Sequence, residues 1–446
     1  MRKLAVLATS AAVLASLSFA KEINVGVTMS MSGPLAAYGQ TAYEGIEFAH
    51  ALQPTLKNGD TIKLVLIDTK GDKVESANAT TRLITSDKVV GIVGEMISTN
   101  TAQIISIADK KQIPVIAPAA TNDKLTENRA YANRVCFMDS FQGAVVANYA
   151  SKDLGLKTAV VVTDQAQVYS LGLSKAFTQA FTQNGGKVLK EVRISSGDKD
   201  FKAVISQIKA LNADFVFLPV YHTEASMIKR QAKQADFNKP FFSGDGVANQ
   251  TFIDLGGDAV EGYMFTDAFD HSAPPTQKSK DFIAAYEKKT GKRELNSFTA
   301  LGADAYNIMV DAMNRCANPE DSVCINNAIK KLFGWKGEAQ QNYDVKVSNT
   351  TENKVKEAKR KLNITLSSFT MFATPRTRKD RKQLRLTFGC TNGYPNVNIE
   401  TDEEGEPSIE NGFLRLSSRL NGTNFHAFLS FIEAALKETA GWHRSI

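Results

Sequence analysis

The sequence predicts an α/β protein made of two doubly wound lobes. Short apolar runs of strand length alternate with amphipathic segments of helix length over about 300 residues, the pattern of a parallel sheet with helices on both faces. Such an alternation outgrows a single core, so it divides into two lobes. Loops of small and hydroxyl residues recur where the strands end, the edge at which open α/β sheets take their ligands.

The first twenty residues stand outside this pattern. Arg2-Lys3, an apolar run from Leu4 to Leu17 and Ser18-Phe19-Ala20 carry the three regions of a secretory signal. The residue after the cleavage site is Lys21 rather than Cys, so no lipid anchor is expected. No later stretch reaches the ~20 consecutive apolar residues of a membrane span. A soluble, exported mature chain is the expectation.

From Ile23 the elements follow in order. Ile23–Thr28 reads as a strand, the loop MSMSGPLAAYGQ follows, and a helix runs from about Thr41 to Leu52. Ile62–Ile67 is a strand and Lys73–Ser86 a helix. Val89–Val93 and Ile113–Ala117 are buried strands joined by a helix carrying Ile104, Ile105, Ile107 and Ala108 at helical spacing. Ser98 or Thr99 is placed to cap that helix. Because parallel strands joined by a crossover end at the same edge, Ser98, Ala119, Ala120 and Thr121 converge there. Free N–H groups, hydroxyls and a helix N-terminus suit a small anion such as a carboxylate. Taken alone, the same loops are also ordinary turns, since Ser and Thr are common caps.

Further along, Phe141–Leu154 is helical, Thr158–Thr163 a strand, Ser170–Asn184 helical and Val188–Ile194 a strand. Phe201–Leu211 is an amphipathic helix with Phe201, Val204, Ile205, Ile208 and Leu211 on one face. Asp214–Pro219, Pro240–Ser243 and Tyr263–Thr266 are strands, with a helix at Glu224–Ala235. Helices at Thr276–Lys289, Ala300–Arg315 and Ser322–Phe333 close the series.

Composition narrows the function. The chain of 446 residues has 43% hydrophobic and 22% charged residues, ordinary for a globular protein. A net charge of +6 is too mild to imply nucleic acid. Four cysteines in an exported chain make disulfides possible. Cys316 and Cys324 bracket a Pro-containing loop between two helical stretches and are the best pair, while Cys136 reads as a buried free thiol. No cysteine or histidine spacing suits a metal, and no cofactor fingerprint, metalloprotease motif or nucleophile elbow occurs. His222, beside Tyr221, reads as a surface residue, with a place in the cleft as the alternative. No catalytic set is suggested, so an enzyme is not expected.

Ordered pieces of the sequence now carry a resemblance: MSGPLAAYG, VVGIVGEMISTNT, IPVIAPAATNDKLT, the loop from Asp164 to Tyr169, DFKAVISQIKALNADFVFLPVYHTEA, FFSGDGVAN and GDAVEGYMFTDAF. Residues 21 to about 335 resemble the branched-chain amino-acid-binding proteins of ABC importers, a branch of the type I periplasmic binding proteins. The resemblance implies two lobes joined by three crossovers and closing as a hinge, with no catalysis. The expected division is a signal peptide (1–20), lobe 1 (21–140 and 265–336), lobe 2 (141–264) and an atypical C-terminal extension (337–446). Ser98, Ala119, Ala120 and Thr121 match positions that hold the ligand's α-carboxylate. Asp245, where some relatives carry Glu, matches the acid that takes the α-amino group. Tyr169 and Tyr221 match aromatic walls of the second lobe, and Tyr38 and Phe298 match positions near the ligand side chain. Asp245 as a mere helix cap, and Tyr169 and Tyr221 as core aromatics, remain the plain alternatives.

The implied function is capture of an aliphatic amino acid in the periplasm and its delivery, by a monomer, to a cognate ABC permease. No cofactor, metal or nucleic acid is implied. The other reading is an exported sensory or adaptor protein with the C-terminal extension as its output. Near Trp335 the sequence departs from the family's ending. Thr351–Leu362 and Asn424–Leu436 read as helices, and Asn363–Phe372, Gln383–Phe388, Asn396–Thr401 and Phe413–Ser418 as strands. The basic run Pro375–Lys382 reads as a solvated loop. An independent small α+β appendage is expected, with the edge of the second lobe's sheet left bare; the alternative is that the tail docks on that edge through Asn363–Phe372 or Gln383–Phe388.

Overall fold

A computed structural model describes residues 20–274, 276–292 and 294–332, together with the backbone strands 368–373, 384–391, 394–400, 408–410 and 413–415. The signal-like segment, the two tail helices and the run Pro375–Lys382 lie outside the described residues.

The first lobe forms a parallel five-stranded sheet in the order β2-β1-β3-β4-β5. Its strands are β1 (Glu22–Met29), β2 (Thr61–Asp68), β3 (Ile92–Gly94), β4 (Val115–Ala117) and β5 (Ala132–Arg134). The second lobe's parallel strands are β6 (Thr158–Asp164), β7 (Lys187–Ile194), β8 (Phe215–Phe217), β9 (Phe241–Ser243) and β10 (Met264–Asp267). They are ordered β10-β9-β8-β6-β7. The sequence of each strand explains why both faces are covered. Ala159 and Val161 of β6 join Phe177 and Phe181 in one core, whereas Val160 and Val162 join Ile205 and Ile208 in another. Period-two alternation thus feeds two apolar layers at once.

The helices follow the predicted rhythm: α1 (Ala36–Leu52), α2 (Lys73–Thr85), α3 (Ser98–Ala108), α4 (Asp139–Asn148), α5 (Val168–Gln183), α6 (Lys202–Leu211), α7 (His222–Gln234), α8 (Gln250–Gly256), α9 (Gln277–Thr290), α10 (Ser297–Met313) and α11 (Ser322–Leu332). The short elements β5 and α8 fall where no strand or helix was predicted. The first helix starts earlier than its apolar spacing suggests, at Ala36 rather than near Thr41, which puts Tyr38 on a helix. Gly39 permits this, because a Cβ there would stand 2.2 Å from the Ser30 carbonyl oxygen. Gly45 does the same between α1 and α10, where a Cβ would stand 1.8 Å from the Thr299 carbonyl oxygen. Cys316 and Cys324 are joined by a disulfide across the α10–α11 connection, and Cys136 is a buried free thiol. Among the described residues no helix is long and apolar enough to cross a membrane.

The tail corrects the expectation of a separate appendage beside a bare edge. Strand β11 (Ser368–Ala373) pairs antiparallel with β10, from Met264 opposite Ala373 to Asp267 opposite Thr370. Strands β12 (Leu384–Thr391) and β13 (Tyr394–Glu400) add to it, giving an eight-stranded sheet. The physical reason is that an open edge presents unpaired N–H and C=O groups, which an incoming strand satisfies. Since α11 packs against α10 and donates from Ser322 Oγ to the Val90 carbonyl in the first lobe, the chain crosses to the second sheet a further time to form β11.

Candidate functional site

In both sheets the strand order reverses beside a central strand, between β1 and β3 in the first and between β6 and β8 in the second. The crevices at such reversals are where α/β sheets place ligands. Here the two crevices face each other. Thr99 Oγ1 donates to Gln167 Oε1 at 2.8 Å and accepts from the Val168 N–H at 3.0 Å. Asn122 Nδ2 donates to the Val168 carbonyl at 2.9 Å, and Asn296 Nδ2 to the Ala248 carbonyl at 3.1 Å. The lobes are therefore closed upon one another.

Between them lies a small cavity lined by Tyr38, Met96, Ser98, Ala119, Tyr169, Tyr221, Asp245, Gly246 and Phe298. The structure thus gathers Tyr38, Ser98, Ala119, Tyr169, Tyr221, Asp245 and Phe298 around one space. Ala120 and Thr121 are buried but stand behind that lining. Met96 and Gly246 carried no signal of their own in the sequence beyond their position next to predicted site residues.

On the first lobe the loops after β3 and β4 meet as their parallel register requires. Ser98 and Thr99 are not caps. Ile97 occupies the N-cap position with no side-chain cap, which moves both hydroxyls into the first turn and frees them for other partners. Ser98 Oγ accepts from the Asn122 N–H at 3.4 Å. The loop carrying Ala119–Thr121 is braced by buried Arg134, whose guanidinium donates to the Ala120 carbonyl at 3.1 Å, the Asn122 carbonyl at 2.8 Å and Thr126 Oγ1 at 2.9 Å. A planar fork with several donors suits such a brace better than a single ammonium.

The aromatic wall is continuous. Tyr169 and Tyr221 stack with ring centroids 5.1 Å apart, and Tyr38 lies 5.3 Å from Tyr221 and 5.7 Å from Phe298. The Tyr38 hydroxyl donates to the Gly246 carbonyl and accepts from the His222 N–H at 3.0 Å. His222 is buried rather than on the surface, because it opens α7 directly under the Tyr38 ring, 4.8 Å away. Burial lowers its imidazole to about 4, so it is neutral at physiological pH.

Asp245 supplies the acidic end of the cavity. It opens a short 3₁₀ turn after β9 and is 5% exposed, so it lines the cavity rather than merely capping a helix. Burial raises its carboxyl to about 6, against hydrogen bonds from Gln142 and the Tyr169 hydroxyl that lower it. A second acid, Asp139, is fully buried close by, and burial holds it well above the usual carboxylate range. Glu95 stands behind Met96, raised by burial to about 7 while Ser30 and Thr69 donate to its Oε1. Among the described residues no group of three or more metal-ligating side chains comes together. The arrangement offers hydroxyls and a loop of small residues on one side, a carboxylate on the other and an apolar, aromatic middle.

A sequence profile of the periplasmic binding protein family matches residues 22–354. The chain belongs to the periplasmic binding protein family. Within this family it is 28% identical over 332 residues to the Leu/Ile/Val-binding protein homolog 3 of Brucella melitensis, covering 72% of this chain and 88% of the relative. It is 32% identical over 270 residues to the Leu/Ile/Val-binding protein of Citrobacter freundii, covering 59% and 72%. Among solved structures it is similar to a leucine binding protein, LivK, from Thermotoga maritima, with 35% identity and a TM-score of 0.69 over 85% of this chain and 97% of that one. A second is the branched-chain amino acid transporter substrate binding protein LivJ of Streptococcus pneumoniae in complex with isoleucine, 27% identical, with a TM-score of 0.66 over 85% and 100%. Both share the two-lobed α/β fold of the type I periplasmic binding proteins.

Proposed function

We propose that this periplasmic binding protein captures an aliphatic, branched-chain amino acid in its interlobe cleft and delivers it to the permease of an ABC importer. The observation that carries the reading is the polarity of the cavity. A zwitterion with an apolar side chain needs donors for one end, a carboxylate for the other and a nonpolar wall between them. Ser98 and Ala119 line the first end, Asp245 the second, and Tyr38, Met96 and Phe298 the wall between them. The small volume favours a single free amino acid over a peptide. The signal-like N-terminus supports work outside the cytoplasmic membrane, and residues 21–140 with 265–336, and residues 141–264, act as the two closing lobes. Binding proceeds without chemical conversion of the ligand, and a monomer suffices. The pairing of β11 with β10 supports reading the tail as part of the second lobe, in preference to the alternative of a sensory output module.

The test is a thermal-shift screen of the mature chain against the twenty amino acids. A ligand held at a hundredfold excess over its Kd adds about 2.7 kcal/mol to the folded state. Stabilisation by leucine, isoleucine or valine above the others is the expected result; none by any amino acid overturns the reading.

A further inference from the structure

The cavity lining names Asp245 but not the residue that holds it. Gln142, on α4, is completely buried and stands outside the lining. Its side-chain amide is used at both ends. Gln142 Oε1 accepts from the backbone N–H of Asp245 at 3.1 Å and from Thr266 Oγ1 at 2.7 Å. Gln142 Nε2 donates to Asp245 Oδ1 at 3.1 Å and to Asp139 Oδ1 at 3.0 Å. The network admits one orientation of the amide. Turned over, its NH₂ would oppose the Asp245 N–H and its oxygen would oppose two carboxyl oxygens.

Two buried acids that share one donor cannot both carry charge in a low dielectric. Their surroundings decide which one ionises. Besides Asp139, the titratable groups around Asp245 are Tyr169, Tyr221, Tyr38, Cys136 and Asp267, from α5, the α7 entry, α1, the segment before α4 and the end of β10. Each of them is neutral or acidic; the cation at the edge of this cluster is Arg134, which acts on the Cys136 thiol and whose guanidinium donates to the Ala120 and Asn122 carbonyls and to Thr126. Gln142 gives one N–H to each acid, so their exposure decides between them, Asp245 reaching the cavity at 5% exposed and Asp139 lying fully buried. We propose that Gln142 is the positioning residue that makes Asp245, and not Asp139, the carboxylate presented to the cavity, by gripping Asp245 through both its backbone and its side chain. The position of the two acids supports the order: Asp245 lines the cavity, whereas Asp139 is 0% exposed behind it. That the partner of Asp245 is an ammonium group rests on the function proposed above; the order of ionisation does not.

The test is a carbon-NMR titration of the aspartate side chains in the ligand-free full chain. Wild type, Gln142→Met and Thr266→Val are compared, with Asp245→Asn and Asp139→Asn assigning the signals. In the wild type Asp245 is expected to ionise before Asp139. In Gln142→Met, which keeps volume and removes every hydrogen bond, the Asp245 midpoint should rise by about one unit or more. Thr266→Val also loses a bond to Gln142 but leaves both contacts to Asp245, and should leave that midpoint in place. A merely structural role for Gln142 would shift melting without shifting the midpoint. A folded Gln142→Met with an unmoved Asp245 midpoint, or ionisation of Asp139 first in the wild type, overturns the proposal. Should the methionine variant not fold, Gln142→Glu carries the same test, since its carboxyl cannot donate to both acids, and an unmoved midpoint there overturns it equally. Leucine calorimetry across the same pH range separates the two readings: absence of binding at every pH sinks the proposed ligand, while the titration alone judges the clamp.

Discussion

The hydroxyl of Tyr38 on the first lobe donates to the carbonyl of Gly246 on the second, across the mouth of the cavity. The same oxygen accepts from the His222 N–H, so one phenol joins two backbone groups of the opposite lobe. Such a latch exists only when the cleft is closed. Tyr38→Phe keeps the ring contacts with Tyr221 and Phe298 and deletes the latch. It should weaken ligand affinity by about 5- to 30-fold, corresponding to about 1–2 kcal/mol for buried hydrogen bonds, chiefly through faster release. Stopped-flow dissociation checks this; an unchanged release rate would show that the hydroxyl does not hold the closed state.

The charge at Asp245 makes a stronger demand. With the amino-acid ligand proposed above, Asp245→Ala would leave an ammonium group buried with no acid opposite it, and should cost about 2–5 kcal/mol of affinity. Isothermal calorimetry with leucine, isoleucine and valine reads the loss directly. Unchanged affinity would remove Asp245 from the site.

Titration gives an independent view of the same carboxyl. Its value of about 6 in the folded chain lies above the ordinary 3.8. A raised folded value means that the acid favours the folded state below about 3.8, and that this contribution is lost as pH rises through about 6. Glu95, raised to about 7, acts in the same direction. Ligand binding has the opposite sense, because an ammonium group needs the ionised form. The ligand-free protein should therefore lose part of its melting temperature between pH 4 and 7, while ligand affinity rises over that interval. Melting curves with and without saturating leucine at each pH check both slopes.

Much of this was legible in the sequence, and the exceptions have physical causes. Strands such as Thr158–Asp164 and the residues at their C-terminal ends followed from apolar runs and connection rules. Ser98 and Ala119 reach the cavity by that logic, whereas Tyr38 and Asp245 were placed there by the family resemblance. The burial of His222 was not legible, because it depends on Tyr38 arriving from a helix distant in sequence. Gln142 was equally silent: a lone glutamine in a helical stretch carries no pattern, and two of its three partner residues, Asp245 and Thr266, are distant in sequence. The hydroxyls of Ser98 and Thr99 looked like caps because sequence shows the residue type but not the one-position shift that places Ile97 at the N-cap.

The disulfide between Cys316 and Cys324 closes a short loop, with a sequence separation of 8, and neither cysteine is among the residues lining the cavity. Closing a loop of that size stabilises by about 2–3 kcal/mol in the chain-entropy view. Replacing both cysteines by serine should lower stability to chemical denaturation by about that amount and leave ligand affinity unchanged. A parallel loss of affinity would tie the staple to the cleft.

The last expectation concerns the strand that fills the second lobe's edge. β10 has β9 on one side and β11 on the other, and it carries Asp267 at its cleft end, next to the residues that lead back to α10. A chain ended after Leu332 would keep both crevices but turn β10 into an open edge. Four consecutive residues, Met264 to Asp267, would lose their antiparallel partners. Edges of this kind recruit strands from other molecules unless charge, proline or a covering segment blocks them. Met264-Phe265-Thr266-Asp267 offers one charge, at its end, and no proline. The shortened protein should therefore bind ligand at high dilution yet form larger species as its concentration rises, with a lower melting temperature than the full chain. Light scattering coupled to size exclusion reads the first effect and calorimetry the second. A shortened chain that stays monomeric and melts with the full-length protein would mean that β10 needs no partner, and the pairing with Ser368–Ala373 would contribute nothing to the lobe.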